Sequence, residues 1–167
     1  MRVLLWHLDG KLPNLALMRL ASHHRAAGDE VVYRRAGNMR AIEPQLEAPF
    51  DRVFGSLIFE RSRPLAERVL ELYPDAVLGG TGYDLTVRLE DVGVETRGPL
   101  DYSDWPQFTA SIGFTQRGCR LRCPFCVVPR TEGKVSGESS VLGIWRGEPW
   151  PRDLVLLDND FFGESSW

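Results

Sequence analysis

The stretch from Val3 to Tyr33 constrains the fold more than any other part of this chain. Val3 to Leu8 is a short apolar run, suited to a buried strand, and Asp9-Gly10 breaks it. From Asn14 to Ala27 the apolar residues Leu15, Leu17, Met18, Leu20 and Ala21 recur at helical spacing. Asn14, with Pro13 just before it, fits a helix N-cap, and Gly28 fits a C-terminal stop. Glu30 to Tyr33 then reads as a second strand. This β-α-β order favours neighbouring parallel strands, because a helix supplies the long crossover that parallel pairing needs.

The alternation continues. Residues 36–50 carry Pro44 and Pro49 and read as a loop with a helical turn. Arg52 to Phe59 is a third strand candidate. Pro64 to Leu72 places Leu65, Ala66, Val69, Leu70 and Leu72 on a helix, with Pro74 beyond it. Ala76 to Leu78 is a short strand that runs into Gly79-Gly80-Thr81-Gly82. Such a glycine turn suits either a close ligand approach or an ordinary strand-to-loop turn. The fold class expected is therefore α/β, with residues 1–85 forming a small open parallel-sheet, Rossmann-like domain.

Residues 86–108 read as a connector, with turn residues Gly93, Gly98, Pro99 and Pro106. Tyr102, Trp105 and Phe108 are expected to pin it to the body of the protein. A second region, 109–167, opens with the strand-like stretch Thr109 to Phe114. It continues through a cysteine loop, a weakly helical Ser139 to Trp145 and a strongly apolar strand, Leu154 to Leu157. Asp158-Asn159-Asp160 follows that strand at once.

At 43% hydrophobic residues the chain can bury a real core. Its net charge of -3 gives no support for general nucleic-acid binding, which a basic surface would favour. The longest apolar runs are far too short to span a bilayer, and no secretory leader pattern opens the sequence. A soluble cytoplasmic protein without a membrane partner is the expectation.

The chain has 3 cysteines, all within residues 119–126. An odd, tightly clustered set is a poor disulfide framework and points to metal or redox chemistry, against the plainer reading of three incidental thiols. The spacing Cys119-x3-Cys123-x2-Cys126 lets one short loop offer three thiolates to a cubane, leaving the fourth iron open to a substrate. Gly118 and Pro124 suit a loop that must wrap closely. Zinc is the rival, but structural zinc sites take four ligands and there is no fourth cysteine. His7, His23 and His24 are distant in sequence, although folding could bring one near. His23 and His24 read as surface residues.

The segment Arg117-Gly118-Cys119-Arg-Leu-Arg-Cys123-Pro124-Phe125-Cys126 resembles the radical S-adenosylmethionine superfamily, with Phe125 at the aromatic position before the last cysteine. It is similar to members that carry an N-terminal cobalamin-binding-like domain. The resemblance implies a [4Fe–4S] cluster on Cys119, Cys123 and Cys126 and S-adenosyl-L-methionine on the open iron. It also implies a reducing donor such as flavodoxin or ferredoxin and a 5′-deoxyadenosyl radical acting on a substrate it does not name. Phe125 would lie near the adenine, or else pack the loop onto the core. Asp158, Asn159 and Asp160 would contact the methionine amine, or else form a turn. Arg130 and Lys134 would face an anionic group, or else sit in solvent.

Two features depart from that family. The D-x-H-x-x-G pattern that supplies a histidine to cobalt is missing, since His7-Leu8-Asp9-Gly10 has the residue types but not the order. The first domain is expected to be cobalamin-binding-like in fold without cobalamin. The second departure is length. A β/α barrel needs on the order of 200 residues, so 109–167 reads as the start of an incomplete barrel, open to completion by another chain. The alternatives are a non-catalytic iron–sulfur or zinc module, or an inactive fragment.

Overall fold

The computed structural model describes residues 1–121 and 123–163, which form two compact units, Met1–Trp105 and Pro106 onward. The first unit is built on a four-stranded parallel sheet. Its strands are β1 (Arg2–His7), β2 (Glu30–Arg35), β3 (Arg52–Ser56) and β4 (Val77–Gly79), in the spatial order β2-β1-β3-β4. The chain therefore steps outward from β1 to β2 and then returns to the other side of β1 for β3. This reversal is a topological switch point, where doubly wound sheets open a crevice beyond the carboxyl ends of their strands.

Helix α1 (Leu15–Ala26) starts where the Asn14 side chain accepts the N–H groups of Ala16 and Leu17. It stops at Gly28, whose φ of +81° lies in the left-handed region. Helix α2 (Arg63–Leu72) carries Pro64 in its first turn and buries Leu65, Ala66 and Val69. The two helices cover opposite faces of the sheet. Val3 and Leu5 of β1 pack with Leu17, Leu20, Ala21 and Phe54 on one face. Leu4, Trp6 and Leu8 pack with Leu57, Leu65, Ala66 and Val69 on the other. Each buried Val, Leu or Phe among them contributes about 1.5–3 kcal/mol, and β1 is buried on both faces. A short 3-10 turn, Met39–Ala41, sits in the loop between β2 and β3, capped by Asn38.

Two details differ from the pattern read in the sequence, and a third fills in the expected docking of the connector. β3 ends at Ser56 and not Phe59, because the Asp9 carboxylate accepts the N–H groups of Ile58 and Phe59 at 2.8 and 2.9 Å. His24 is buried, not on the surface; its Nδ1 lies 2.7 Å from Asp29 Oδ2, while His23 is exposed. Residues 86–105 pack onto this unit: Val94 and Trp105 are buried, and Arg25 pairs with Asp101 and Asp104 at 2.6 and 2.9 Å.

The second unit has a two-stranded parallel sheet of β5 (Ser111–Gly113) and β8 (Leu154–Leu156), in the register Ser111–Leu154, Ile112–Val155, Gly113–Leu156. A one-turn helix, α4 (Val141–Ile144), precedes β8 and is capped by the Ser140 hydroxyl. Ile144 packs on Gly113, where a β-carbon would come within 3.1 Å of it. Between β5 and α4 lies a small antiparallel ladder of β6 (Gln116–Arg117) and β7 (Ser136–Gly137). Helix α3 (Val128–Thr131) stands inside the segment that this ladder closes. Among the described residues no helix is long and apolar enough to cross a membrane.

Candidate metal centre

The cysteine loop leaves β6 and returns through β7, so the ladder clamps its base. Gly118 is the first residue after β6. Its φ is +79°, and a β-carbon there would stand 2.4 Å from the Lys134 carbonyl oxygen. Both the backbone conformation and the close approach of the returning strand require glycine at this position. The sequence pattern ties this glycine to a wrap around an ion; in the structure the constraint on it is the Lys134 backbone.

All three cysteines are free thiols, half-buried and in no disulfide. The Leu121 N–H donates to Cys119 Sγ at 3.3 Å, and the Cys126 N–H donates to the Cys123 carbonyl at 3.0 Å. Cys123 and Cys126 line one open cleft with Phe125 and Arg130; Cys119 does not line it. Among the described residues no three His, Cys, Asp or Glu side chains stand together as a metal-holding set. In chemistry the donor set nonetheless suits an iron–sulfur cubane: three thiols on one loop, none in a disulfide, with no fourth cysteine to close the site.

Phe125 is 92% exposed, so it does not pack the loop onto a core. Arg130 and Lys134 are exposed as well, with Arg130 on the cleft that holds Cys123 and Cys126.

Asp158, Asn159 and Asp160 follow β8 and turn toward the cysteine loop. Asp158 Oδ1 accepts the N–H groups of Thr115 and Gln116 at 2.8 and 3.2 Å, and Oδ2 accepts the Thr115 hydroxyl at 2.6 Å. Both of its oxygens are thus spent on the strand that feeds the loop. Asn159 donates from Nδ2 to Glu132 Oε2 at 3.0 Å. Asp160 accepts Arg120 Nε at 3.0 Å, and its Oδ2 lies 4.0 Å from Cys119 Sγ. Its backbone carbonyl also accepts the Gln116 side-chain amide. The Asp-Asn-Asp run is therefore a brace between β8 and the loop, more than a local turn.

Glu132 is the residue that sequence reasoning missed. Its Oε2 accepts the Gly118 N–H at 2.8 Å together with Asn159, and its Oε1 pairs with Arg117 at 3.1 Å. It ties the start of the loop, the end of the loop and the segment after β8 into one network. Nothing in the local sequence signals this, because every partner is distant in the chain.

In the Gly79-Gly80-Thr81-Gly82 turn, close backbone packing requires glycine. A β-carbon at Gly80 would stand 2.2 Å from the Leu57 carbonyl oxygen, and one at Gly82 would stand 2.5 Å from the Phe59 carbonyl carbon. Thr81 donates its hydroxyl to the Ile58 carbonyl at 2.8 Å. These glycines let two backbone segments of the first unit pack directly on each other. No family model, curated protein or solved structure matches this chain.

Proposed function

We propose that this chain is an iron–sulfur protein of the radical S-adenosylmethionine type. Cys119, Cys123 and Cys126 would hold a [4Fe–4S] cluster, and β5, α4 and β8 would be the opening elements of a β/α barrel. The observation that carries the reading is the set of three free, accessible thiols at C-x3-C-x2-C spacing on a loop clamped at both ends. Clustering without disulfide pairing suits metal binding, and the missing fourth thiol suits a cluster that binds a substrate. When bound, the cluster supplies the electron that splits the sulfonium of S-adenosyl-L-methionine into methionine and a 5′-deoxyadenosyl radical.

The chain's own residues have supporting roles. Phe125, 92% exposed beside two of the thiols, offers an aromatic face for the adenine. Of the three residues after β8, Asp160 would exchange its Arg120 partner for the methionine ammonium group, since its carboxylate stands 4.0 Å from Cys119 Sγ. Asp158, Asn159 and Glu132 are positioning residues that fix where the loop begins and returns. The first unit would act as a cobalamin-binding-like domain that holds no cobalamin. A flavodoxin or ferredoxin would supply the electron.

The test is chemical. Protein reconstituted without oxygen should bind close to four irons and four sulfides per chain, and with dithionite and S-adenosyl-L-methionine it should release 5′-deoxyadenosine. Loss of iron on a Cys123→Ala change is expected. Retention of one zinc and no iron would overturn the proposal.

A further inference from the structure

A second site lies wholly within the first unit and is independent of the cysteine loop. At the carboxyl ends of the parallel strands there is a cleft of about 590 Å³, within the size range of small-molecule sites. It opens at the switch point, between the segments that leave β1 and β3.

Its charge is one-sided. Lys11, Arg35 and Arg61 line it, and none of the three pairs with a carboxylate among the described residues. Arg35 lies over the Trp105 ring at 4.3 Å, and Arg61 lies over the Phe59 ring at 4.5 Å. These stacking contacts fix each guanidinium plane while leaving its N–H donors available. The one carboxylate on the wall, Asp9, is already bonded to the N–H groups of Ile58 and Phe59. Ser62, at the start of α2, also faces the cleft, and its hydroxyl caps no helix amide.

His7 is the second, independent observation. It ends β1, lines the cleft and is 2% exposed, yet neither ring nitrogen makes a hydrogen bond of normal geometry among the described residues; the Asp9 backbone, the nearest polar group acting on the ring, only partly offsets its burial. Tyr33 and Trp105 hold the ring by edge and tilted contacts. Its Nε2 faces Gly10 on the same wall, where a β-carbon would stand 3.4 Å away. Burial, with Arg35 alongside, pushes the imidazole down to about 4, so at neutral pH it offers one donor and one acceptor. A buried polar ring with open bonding capacity is costly unless a ligand or water satisfies it.

We propose that this cleft binds a phosphate-bearing small molecule of nucleotide size, with Arg35, Arg61 and Lys11 holding the phosphates and His7 bonding the ligand's interior polar group. Phosphate suits the site because planar guanidinium groups pair with its oxygens in a bidentate fashion. The cleft volume leaves room for a ring system beyond the phosphates.

The experiment uses the full chain, labelled with ¹⁵N, and titrates it with ADP, with inorganic pyrophosphate as a second probe. ADP should shift the amides of Gly10, Gly37 and Ser62 and the ring resonances of His7, saturably. Pyrophosphate should shift the Gly10 and Ser62 amides and leave His7 unmoved. Added salt should weaken both. The Arg35→Gln and Arg61→Gln variants replace exposed side chains, and each should weaken ADP binding about tenfold, while an Arg40→Gln control leaves it unchanged. Unaltered spectra elsewhere show that the variants remain folded. No saturable shift at millimolar ADP would overturn the proposal. Shifts that survive loss of both arginines would overturn it equally.

Discussion

His7 gives the sharpest stability prediction. An unperturbed histidine titrates near 6.5, while burial and the nearby Arg35 hold His7 down to about 4 in the fold. The depressed value means that the unfolded chain takes up its proton at a higher pH than the folded chain does. Between about pH 6.5 and 4 the unfolded state binds more protons, so stability falls as the pH falls through that window. Above it the contribution is constant. At 1.36 kcal/mol for each pH unit of separation, the loss is about 3 kcal/mol by pH 4. That is a large share of the 5–15 kcal/mol that typically holds a domain together. Other groups titrate in the same range, so the test compares the natural chain with a His7→Phe variant. Urea unfolding, followed by near-ultraviolet circular dichroism at pH 7, 5.5 and 4, gives the difference between them. Whatever the stability of the variant at pH 7, it should gain about 3 kcal/mol relative to the natural chain on going to pH 4. A proton NMR titration of the His7 ring should find its midpoint near 4. A difference that stays constant with pH, or a midpoint near 6.5, would refute the argument.

Three further predictions concern the second unit. Gly118→Ala should cost more than the roughly 1 kcal/mol of a left-handed backbone alone, because the new methyl group meets the Lys134 carbonyl; iron uptake at fixed sulfide should fall with it. Asp158→Ala strands the N–H groups of Thr115 and Gln116 in a part-buried setting, so chemical denaturation should show a loss of about 1–3 kcal/mol. Phe125→Ala should leave stability within about 0.5 kcal/mol, since the ring is exposed. In the same variant the response of the reduced protein to S-adenosyl-L-methionine should shift to higher cofactor concentration in a spectroscopic titration.

The parts of the fold that could be read from the sequence are those set by local chemistry. Asn14 before a helical apolar period and Gly28 after it locate α1, because capping involves neighbours only a few residues away. The buried strand at Val3 and the helix after Pro64 follow from period and proline placement in the same way. What stayed hidden depends on partners distant in the chain. The early end of β3 comes from Asp9, and the burial of His24 comes from the packing of α1 on the sheet and its contact with Asp29. Trp105 was expected to pin the connector and does so, but the ion pairs of Arg25 with Asp101 and Asp104 had no local signal. At the candidate site the cysteines, Phe125 and the Asp-Asn-Asp run were visible as motifs. The duties of Asp158 and Glu132 as braces were not, because they rest on contacts between segments that only the folded unit brings together.

In the proposed function the three thiols would hold a cluster whose open iron would bind S-adenosyl-L-methionine. The most direct measurement is the electron paramagnetic resonance spectrum of the anaerobically reconstituted, reduced chain, recorded before and after the cofactor is added. A reduced [4Fe–4S] signal should appear and should change on addition. Failure to form any cluster, or a cluster signal that does not respond to the cofactor, would contradict the proposal.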